Sequence, residues 1–430
     1  MILAKGKLYD SSEQGRILSG MEEEINHTLA EKTLSADTVI TAIDALGKKI
    51  ADGVFDEKIA GLAMDGAERY KSLAAVILSR ENIEYKLHME LGEDFFVPFR
   101  TKPPHDQKSI CVRAMPLGTL LHIAAGNVDG LPAFSLAEGL LTGNINIVKL
   151  PQADDGLSLM IITTLIEIEP ALSDFIYVFD TPSDDLPAMK RMADMADGIV
   201  VWGGDAAVSA VRQFAPAGAK LIEWGHKLGF AYISGYQDKE RELKALAEHI
   251  ASTKQLLCSS CQTIFLDTHS LDELHHFCED FLPYLETAVS QYPSPSLGGA
   301  AEITLLKYTD TLEKILRGTQ EADAADFRAD GCSLTACRDS ELELSYMFGN
   351  CYVKRLPKEN IISTLRRKKG YLQTAGLICP AGKREELTGL LASAGVGRIT
   401  GAGNMSEDFC GEAHDGVYPL RRYTRIVNIE

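Results

Sequence analysis

The stretch TLLHIAAGNVDGLPAFSLAEGLLTGNINIVKLP at residues 119–151 decides the fold. It opens with an apolar run at 119–125, continues with a segment of helical periodicity at 132–143, and closes with a second apolar run at 145–151. Short apolar runs are typical of strands that are buried on both faces, and a helix that joins two such strands makes them parallel. The stretch therefore predicts a βαβ unit.

The same alternation of strands and helices continues towards the C-terminus. The runs DFIYVFD, GIVVWGG and AKLIEWG look like further strands, and helical segments of about 10–15 residues separate them. The run GFAYISG, a helix at 238–252 and the strand QTIFLD at 262–267 then begin a second α/β layer. We therefore predict an α/β protein in which a doubly wound parallel sheet precedes a second α/β domain.

The remaining segments complete the predicted domain organisation. Residues 20–90 show helical periodicity, and residues 93–118 read as an extended hairpin with a Pro-Pro turn. We predict one domain at 1–225, a second at 226–405 and a C-terminal tail at 406–430.

Composition excludes several classes of function. The chain has 430 residues, of which 45% are hydrophobic, and a formal net charge of −18. This acidity disfavours binding to nucleic acid, which requires basic residues to neutralise phosphates. No apolar run reaches the roughly 18 residues of a membrane span, and the N-terminus does not resemble a signal peptide. We expect a cytoplasmic protein.

The nine cysteines are scattered and odd in number, as in a reducing compartment. Cys258 and Cys261 form a C-x-x-C pair, but Cys332 and Cys337 have the wrong spacing to complete a zinc site. We therefore expect no metal. A reactive thiol is the alternative, because Cys258 lies in the polar turn QLLCSSCQ at 255–262 and follows Glu223 by 35 residues.

Chemically useful residues recur at the predicted strand ends. Asn127 follows one strand, Lys149 ends the next, and Gly203 and Gly204 lie between a strand and a helix. The carboxyl ends of parallel strands are where open α/β sheets bind ligands. Since neither the G-x-G-x-x-G fingerprint nor a P-loop is present, any nucleotide must be held in another way.

This order of residues resembles the aldehyde dehydrogenase superfamily, and within it the LuxC-type acyl-CoA reductases. Asn127 precedes Lys149 by 22 residues, as in the superfamily. The LuxC-like features are QLLCSSCQ, YLQTAGL at 371–377 and the triplet HDG at 414–416. The resemblance covers roughly residues 90–430. It implies an aldehyde dehydrogenase-like fold, in which the doubly wound domain at 1–225 is the cofactor-binding domain and the α/β domain at 226–405 is the catalytic domain.

The resemblance also implies catalytic roles. Cys258 is expected to be the nucleophile, and Asn127 to hold the oxyanion together with the backbone N–H of Cys258. Cys261 is the rival nucleophile, although the spacing favours Cys258. LuxC-like sequences are expected to carry proline at position 261, so this chain departs from the family pattern there. Glu223 is retained, although the common ELGGK has become EWGHK at 223–227. Its expected role is proton handling or site polarity.

The cofactor implied by the resemblance is a nicotinamide nucleotide. Lys149 is expected to bind the adenosine ribose or its phosphate, and Gly203 with Gly204 to approach the pyrophosphate. Gln152 stands where NAD-preferring members carry a glutamate, so the absence of a carboxylate favours NADP(H), with NAD(H) as the alternative. Asp205 is an awkward neighbour for a phosphate.

The expected reaction is NADPH-dependent reduction of an acyl-CoA or acyl-protein thioester to an aldehyde. The alternative is an NAD(P)-dependent dehydrogenase that oxidises a free aldehyde or passes the acyl group to coenzyme A. A cysteine acyltransferase without a redox step and a non-catalytic scaffold are the other hypotheses. The resemblance further implies that the extended segment 93–118 is an arm through which the chains pair as a homodimer or tetramer. It also implies an acyl-protein synthetase as partner.

Overall fold

The computed structural model describes residues 1–59, 67–105, 108–124, 130–152, 154–293, 297–316, 325–407 and 409–430. The chain divides into two compact units. The first contains Met1–Gly225 together with Phe409–Glu430, and the second contains His226–Asp408.

The strands are β1 (Ile2–Ala4), β2 (Lys7–Tyr9), β3 (Phe99–Thr101), β4 (Ile110–Pro116), β5 (Thr119–Ile123), β6 (Ile145–Lys149), β7 (Ile176–Phe179), β8 (Gly198–Trp202), β9 (Lys220–Trp224), β10 (Leu228–Ile233), β11 (Cys261–Leu266), β12 (Ala325–Ala329), β13 (Cys332–Cys337), β14 (Asn350–Arg355), β15 (Leu372–Ile378), β16 (Arg398–Gly401) and β17 (Thr424–Ile429).

The α-helices are α1 (Gln14–Glu31), α2 (Ala36–Ala51), α3 (Asp56–Ile59), α4 (Ala67–Ile77), α5 (Arg80–Leu91), α6 (Leu131–Leu141), α7 (Leu157–Ile168), α8 (Leu186–Asp194), α9 (Asp205–Phe214), α10 (Lys239–Thr253), α11 (Leu271–Val289), α12 (Leu297–Leu316), α13 (Ile361–Leu365), α14 (Arg384–Ala394) and α15 (Pro419–Arg422).

A seven-stranded sheet forms the core of the first unit, in the order β2-β1-β7-β6-β5-β8-β9. Strands β5 to β9 are parallel, and the predicted βαβ unit is confirmed by the register from Thr119↔Ile145 to Ile123↔Lys149. From β5 the chain moves outwards to β6 and β7, and then returns to β8 on the other side of β5. This reversal of strand order creates the crevice in which open sheets bind ligands.

The second unit contains another seven-stranded sheet, in the order β12-β13-β14-β11-β10-β15-β16. All its strand pairs are parallel except β12 with β13. Alternate residues of β10 divide between two buried clusters, because neighbouring side chains point to opposite faces. Ala231 belongs to the same buried cluster as Leu243 of α10, whereas Phe230 belongs to the same cluster as Leu387 of α14. Helices therefore cover both faces, and the prediction of an α/β fold is confirmed.

A three-stranded antiparallel sheet, ordered β17-β4-β3, completes the first unit. The hairpin predicted within residues 93–118 is formed by β3 and β4. The last strand of the chain pairs with β4 from Thr424↔Pro116 to Ile429↔Cys111. The C-terminal residues from 409 onwards thereby belong with the first unit.

Among the residues that the structure describes, no helix is both long enough and apolar enough to cross a membrane.

Candidate active site

Cys258 lies on a tight loop between the end of α10 and the start of β11. The helix ends at Thr253, and Lys254 and Gln255 then adopt left-handed backbone angles with φ of 49° and 61°. The N–H of Ser260 donates to the carbonyl of Leu257 at 3.0 Å, which closes a turn around the cysteine. This geometry leaves the Cys258 side chain exposed to solvent.

Two buried glutamines fix this loop. The amide nitrogen of Gln255 donates to the carbonyl of Cys261 at 2.8 Å and to the hydroxyl of Ser345 at 3.0 Å. Its amide oxygen accepts the N–H of Gly349 at 3.0 Å. Gln262 donates to the backbone carbonyl of Gln255 at 2.8 Å and accepts from Ser345. Such fully used amides hold the cysteine loop in one conformation.

The roles of Gln255 and Gln262 were missed in the sequence analysis. The available signal was their position, because they are the first and last residues of QLLCSSCQ and adjoin apolar runs. Polar amides beside buried segments are expected to find hydrogen-bond partners.

Gly229 of β10 allows the loop to pack against the sheet. A Cβ at this position would lie 2.5 Å from the carbonyl oxygen of Ser260 and 2.6 Å from that of Ser259. These oxygens belong to the backbone and cannot move aside without displacing the loop. A side chain at position 229 is therefore excluded by the approach of the cysteine loop.

Cys261 lies in an environment opposite to that of Cys258. Its side chain is fully buried at the start of β11, and burial raises the pKa of its thiol to about 12. The N–H of Cys261 donates to the ring nitrogen Nε2 of His249 at 3.3 Å. Burial lowers the pKa of His249 to about 4, so its neutral ring can accept this bond. Cys261 is thus poorly suited to act as a nucleophile.

Gln373 of β15 contacts the Cys258 sulfur directly. Its amide nitrogen donates to Sγ at 3.2 Å, and its side chain is only 8% exposed. Sequence analysis assigned no role to this residue, although it is the polar position in the apolar run YLQTAGL. A buried amide in such a run is itself a signal of a specific partner.

Lys149 ends β6 and is almost fully buried. Its ammonium group donates to the hydroxyl of Ser183 at 2.7 Å, and burial lowers its pKa. Gln152, three residues later, is exposed. A buried cation at a strand end is a suitable partner for a phosphate or for ribose hydroxyl groups.

Gly203 and Gly204 connect β8 to α9, which begins at Asp205. A Cβ on Gly203 would lie 2.9 Å from the Cβ of Ala207, so the tight turn requires glycine there. The N–H of Gly203 donates to the carbonyl of Trp224 at 3.1 Å. The turn therefore presents the N-terminus of α9 at the carboxyl end of β8, where a pyrophosphate could bind.

Glu223 of β9 forms a bidentate ion pair with Arg212 of α9. Its two carboxylate oxygens accept from Nε and Nη2 of the guanidinium, each at 2.6 Å. The hydrogen bonds and charge of Glu223 in turn raise the pKa of Arg212. Both carboxylate oxygens of Glu223 are therefore engaged by hydrogen bonds from Arg212.

His414, from the HDG triplet, packs in an aromatic cluster at the ends of β8 and β9. Its ring centroid lies 5.3 Å from that of Trp202 and 5.0 Å from that of Trp224, and the two indoles are stacked. The contact attaches the C-terminal segment to the first sheet. This gives the triplet a structural role that sequence analysis did not assign.

The predicted site residues fall into two groups. Lys149, Gly203 and Gly204 lie at the carboxyl ends of β6 and β8, the two strands that flank β5 in the first sheet, and Cys258 lies in the second unit. Asn127 is outside the described residues, so the prediction for its amide is carried by sequence alone.

The model of the family described as acyl-CoA reductase (LuxC) matches residues 32–426.

The chain belongs to the acyl-CoA reductase (LuxC) family.

Curated relatives in this family are named long-chain acyl-protein thioester reductases. The chain is 26% identical to long-chain acyl-protein thioester reductase 2 from Photobacterium leiognathi over 336 residues, which are 74% of this chain and 65% of that protein. It is 24% identical to the Aliivibrio fischeri protein, again over 74% of this chain and 65% of the relative. The protein from Photobacterium phosphoreum is 21% identical over 95% of this chain and 83% of its own length. The first two matches thus span slightly less than two thirds of these relatives.

Solved structures with the same fold are aldehyde dehydrogenases. The NADP-dependent glyceraldehyde-3-phosphate dehydrogenase of Bacillus halodurans, complexed with NADP, aligns with a TM-score of 0.72 and 15% identity over 100% of this chain and 98% of that one. A 3,6-anhydro-L-galactose dehydrogenase aligns with a TM-score of 0.73 and 13% identity over 100% and 99%. The predicted aldehyde dehydrogenase-like fold and the LuxC resemblance are both confirmed.

Proposed function

We propose that this chain reduces an acyl thioester to an aldehyde through an acyl group on Cys258, with NADPH as the reductant. The observation that carries the proposal is the exposed Cys258 thiol on a rigid loop, beside a buried amide donor, in a chain of a reductase family. The acyl donor is coenzyme A or a protein, in keeping with the names of the family and of its relatives.

The first step is acyl transfer to sulfur. The Cys258 thiolate attacks the thioester carbonyl carbon, and the tetrahedral adduct collapses with loss of the donor thiolate, which leaves an acyl-cysteine. Exposure makes the sulfur accessible, and the loop fixed by Gln255 holds it in place. The thiolate rather than the thiol reacts, so a donor near the sulfur favours this step.

The negative charge that develops on the carbonyl oxygen needs hydrogen-bond donors. We assign them to the Asn127 amide and to the backbone N–H of Cys258, as the family resemblance implies. Removing one such donor typically costs about 100–1,000-fold in rate.

The residues of the first unit fit a nicotinamide nucleotide. Lys149 offers a buried cation, Gly203 and Gly204 offer a close backbone approach, and α9 offers its N-terminus to the phosphates. Gln152 is neutral and exposed, so it does not repel a 2′-phosphate, and this favours NADP(H) over NAD(H). When bound, the reduced nicotinamide supplies the hydride that takes the acyl group to the aldehyde level.

The final step restores the sulfur. Once the acyl carbon has received hydride, it is a hemithioacetal oxyanion on Cys258. The oxyanion forms the carbonyl again, the carbon–sulfur bond breaks with its electron pair on Cys258 as thiolate, and the aldehyde leaves. No water is consumed, so no base for water is required.

The state of Glu223 favours this reaction over oxidation of a free aldehyde with water as acceptor. Oxidation requires a carboxylate that removes a proton from water, whereas Glu223 is held through both oxygens by Arg212. We assign Glu223 a role in site polarity.

The proposed setting follows the family. We propose a cytoplasmic homodimer or tetramer that pairs through the arm at 93–118, and an acyl-protein synthetase as the partner that supplies acyl groups.

The test is a steady-state assay with a panel of saturated acyl-CoAs of increasing chain length and with NADPH or NADH. We expect aldehyde, free coenzyme A and oxidised nucleotide in equal amounts, with a higher kcat/KM for NADPH. Formation of carboxylic acid from free aldehydes, without turnover of acyl-CoA, would contradict the proposal.

A further inference from the structure

The pairing of β10 with its two neighbouring strands is irregular beside the cysteine loop. Leu228 of β10 pairs with Leu372 of β15, but Phe230 pairs with Ala375, so Gln373 and Thr374 together oppose one residue of β10. A bulge of this kind re-aims side chains, and bulges are common beside active sites.

A matching irregularity lies on the other side of β10. Gly229 pairs with Cys261 of β11, whereas Phe230 pairs with Thr263, so Gln262 is the additional residue there. Both neighbours of β10 are thus displaced beside Gly229, the glycine that the cysteine loop approaches. The bulges and the loop form one local arrangement.

The bulge on β15 is accompanied by the contact between Gln373 and the nucleophile. The amide nitrogen of Gln373 donates to Sγ of Cys258 at 3.2 Å from a position that is 92% buried. A buried donor is poorly screened by water, so its bond to a charged acceptor is worth more than an exposed one.

The same strand supports the loop at a second point. A Cβ on Gly376 would lie 2.5 Å from Sδ of Met405, so the absence of a side chain lets the segment before Ser406 lie against β15. The hydroxyl of Ser406 is 2.8 Å from that of Ser259, the neighbour of Cys258. The motif YLQTAGL therefore contacts the Cys258 sulfur through Gln373. Through Gly376 it also accommodates the segment that holds the cysteine loop.

We propose that Gln373 is a catalytic residue that stabilises the Cys258 sulfur as a thiolate. A hydrogen bond to the charged form of an acid favours that form, and the amide of glutamine keeps its N–H donors at every pH at which the protein is folded. The neutral donor adds no positive charge, and it transfers no proton.

Within the proposed reduction, Gln373 acts twice. Before acylation its N–H bond increases the fraction of Cys258 that is thiolate. During release, the carbon–sulfur bond breaks with its electron pair on sulfur, and the same N–H bond stabilises this leaving group. This second role rests on the proposed function, whereas the first requires neither an acyl substrate nor a nucleotide.

The test is the pH profile of Cys258 alkylation by iodoacetamide, followed by peptide mass spectrometry in the full-length protein. Gln373→Met keeps the length of the side chain but removes the donor, and we expect the midpoint of the profile to rise by about one pH unit or more. Gln373→Glu places an acceptor and a negative charge beside the sulfur, so its midpoint should rise further. Gln237→Met, an exposed glutamine of the same unit, is the matched control.

Circular dichroism verifies that each variant is folded, and either Gln373 variant alone is sufficient for the test. If a folded Gln373 variant has the same alkylation midpoint as the control Gln237→Met, the proposal is overturned. An upward shift in a protein that never accepts an acyl group would overturn the proposed function and leave the thiolate role of Gln373 standing. If Cys258 accepts an acyl group but the alkylation midpoint of the Gln373 variants is unshifted, the proposed function stands and the thiolate role of Gln373 is overturned.

Discussion

Cys258 and Cys261 lie three residues apart in one polar segment, yet the structure gives their sulfurs opposite surroundings. Cys258 is exposed on a loop and receives an N–H bond from Gln373. Cys261 is fully buried at the start of β11, where desolvation raises the pKa of its thiol to about 12. The difference shows that the change from loop to strand, rather than the C-x-x-C spacing, decides which sulfur is accessible to solvent.

Replacing each cysteine by alanine in turn should have the largest effect on the contrast between the two thiols. Cys258→Ala should lower thioester reduction by more than about 1,000-fold, because the nucleophile is lost. Cys261→Ala should stay within about tenfold of the native rate, because its thiol is buried and protonated at neutral pH. Rates of aldehyde formation measure both. A larger loss in Cys261→Ala would reverse the assignment.

The rigidity of the exposed loop is tested by Gln255→Leu. This change removes hydrogen bonds to the Cys261 carbonyl and the Gly349 N–H, and we expect the free energy of unfolding to fall by about 2–4 kcal/mol. Urea denaturation followed by circular dichroism measures the change. The control is Gln291→Leu on the surface, which should stay within about 0.5 kcal/mol. Equal stability of the two variants would show that Gln255 does not anchor the loop.

Lys149→Met separates the nucleotide side of the reaction from the sulfur side. We expect the KM for NADPH to rise by about 10–100-fold, since a charged hydrogen bond is lost, while acylation of Cys258 without nucleotide is unchanged. Lys190→Met, an exposed lysine of the same unit, is the control. Loss of acylation in Lys149→Met would contradict this separation.

The pH dependence of nucleotide binding also tests the role of Lys149. Burial lowers the pKa of Lys149, so its positive charge is lost as the pH rises through that lowered value, earlier than for an exposed lysine. The KM for NADPH should therefore increase towards alkaline pH in the native protein. This increase should be absent from Lys149→Met.

The smallest effect is expected for Glu223→Gln. Because Arg212 already engages both carboxylate oxygens, kcat for thioester reduction should fall by less than about tenfold. Glu22→Gln breaks another surface pair with arginine, that with Arg191, and serves as the control. A loss above about 1,000-fold in Glu223→Gln alone would show that its carboxylate transfers a proton.

The sequence predicted what short-range patterns determine. The apolar periodicity of residues 119–151 predicted parallel strands, because burial on both faces requires continuous apolar runs. Lys149 and the glycines at 203 and 204 could be placed at strand ends for the same reason. The placement of Asn127 remains a prediction.

The contacts that fix the cysteine loop could not be predicted from the sequence, because they join residues that are far apart along the chain. Gln373 follows Cys258 by 115 positions, and Ser345 and Gly349 reach Gln255 from a separate loop. The N-terminal strands β1 and β2 were likewise missed, because runs of three residues carry too little pattern. The pairing of Glu223 with Arg212 depends on how α9 lies beside β9, which no local motif specifies.

The most direct test of the central claim is to locate the acyl group after incubation with acyl-CoA in the absence of nucleotide. Tryptic cleavage after Lys254 and Lys307 places Cys258 and Cys261 on one peptide, so fragment ions between them must assign the added mass. We predict acylation of Cys258 and its discharge as aldehyde on addition of NADPH. An acyl group on Cys261, or an acyl group on Cys258 that NADPH leaves in place, would contradict the account.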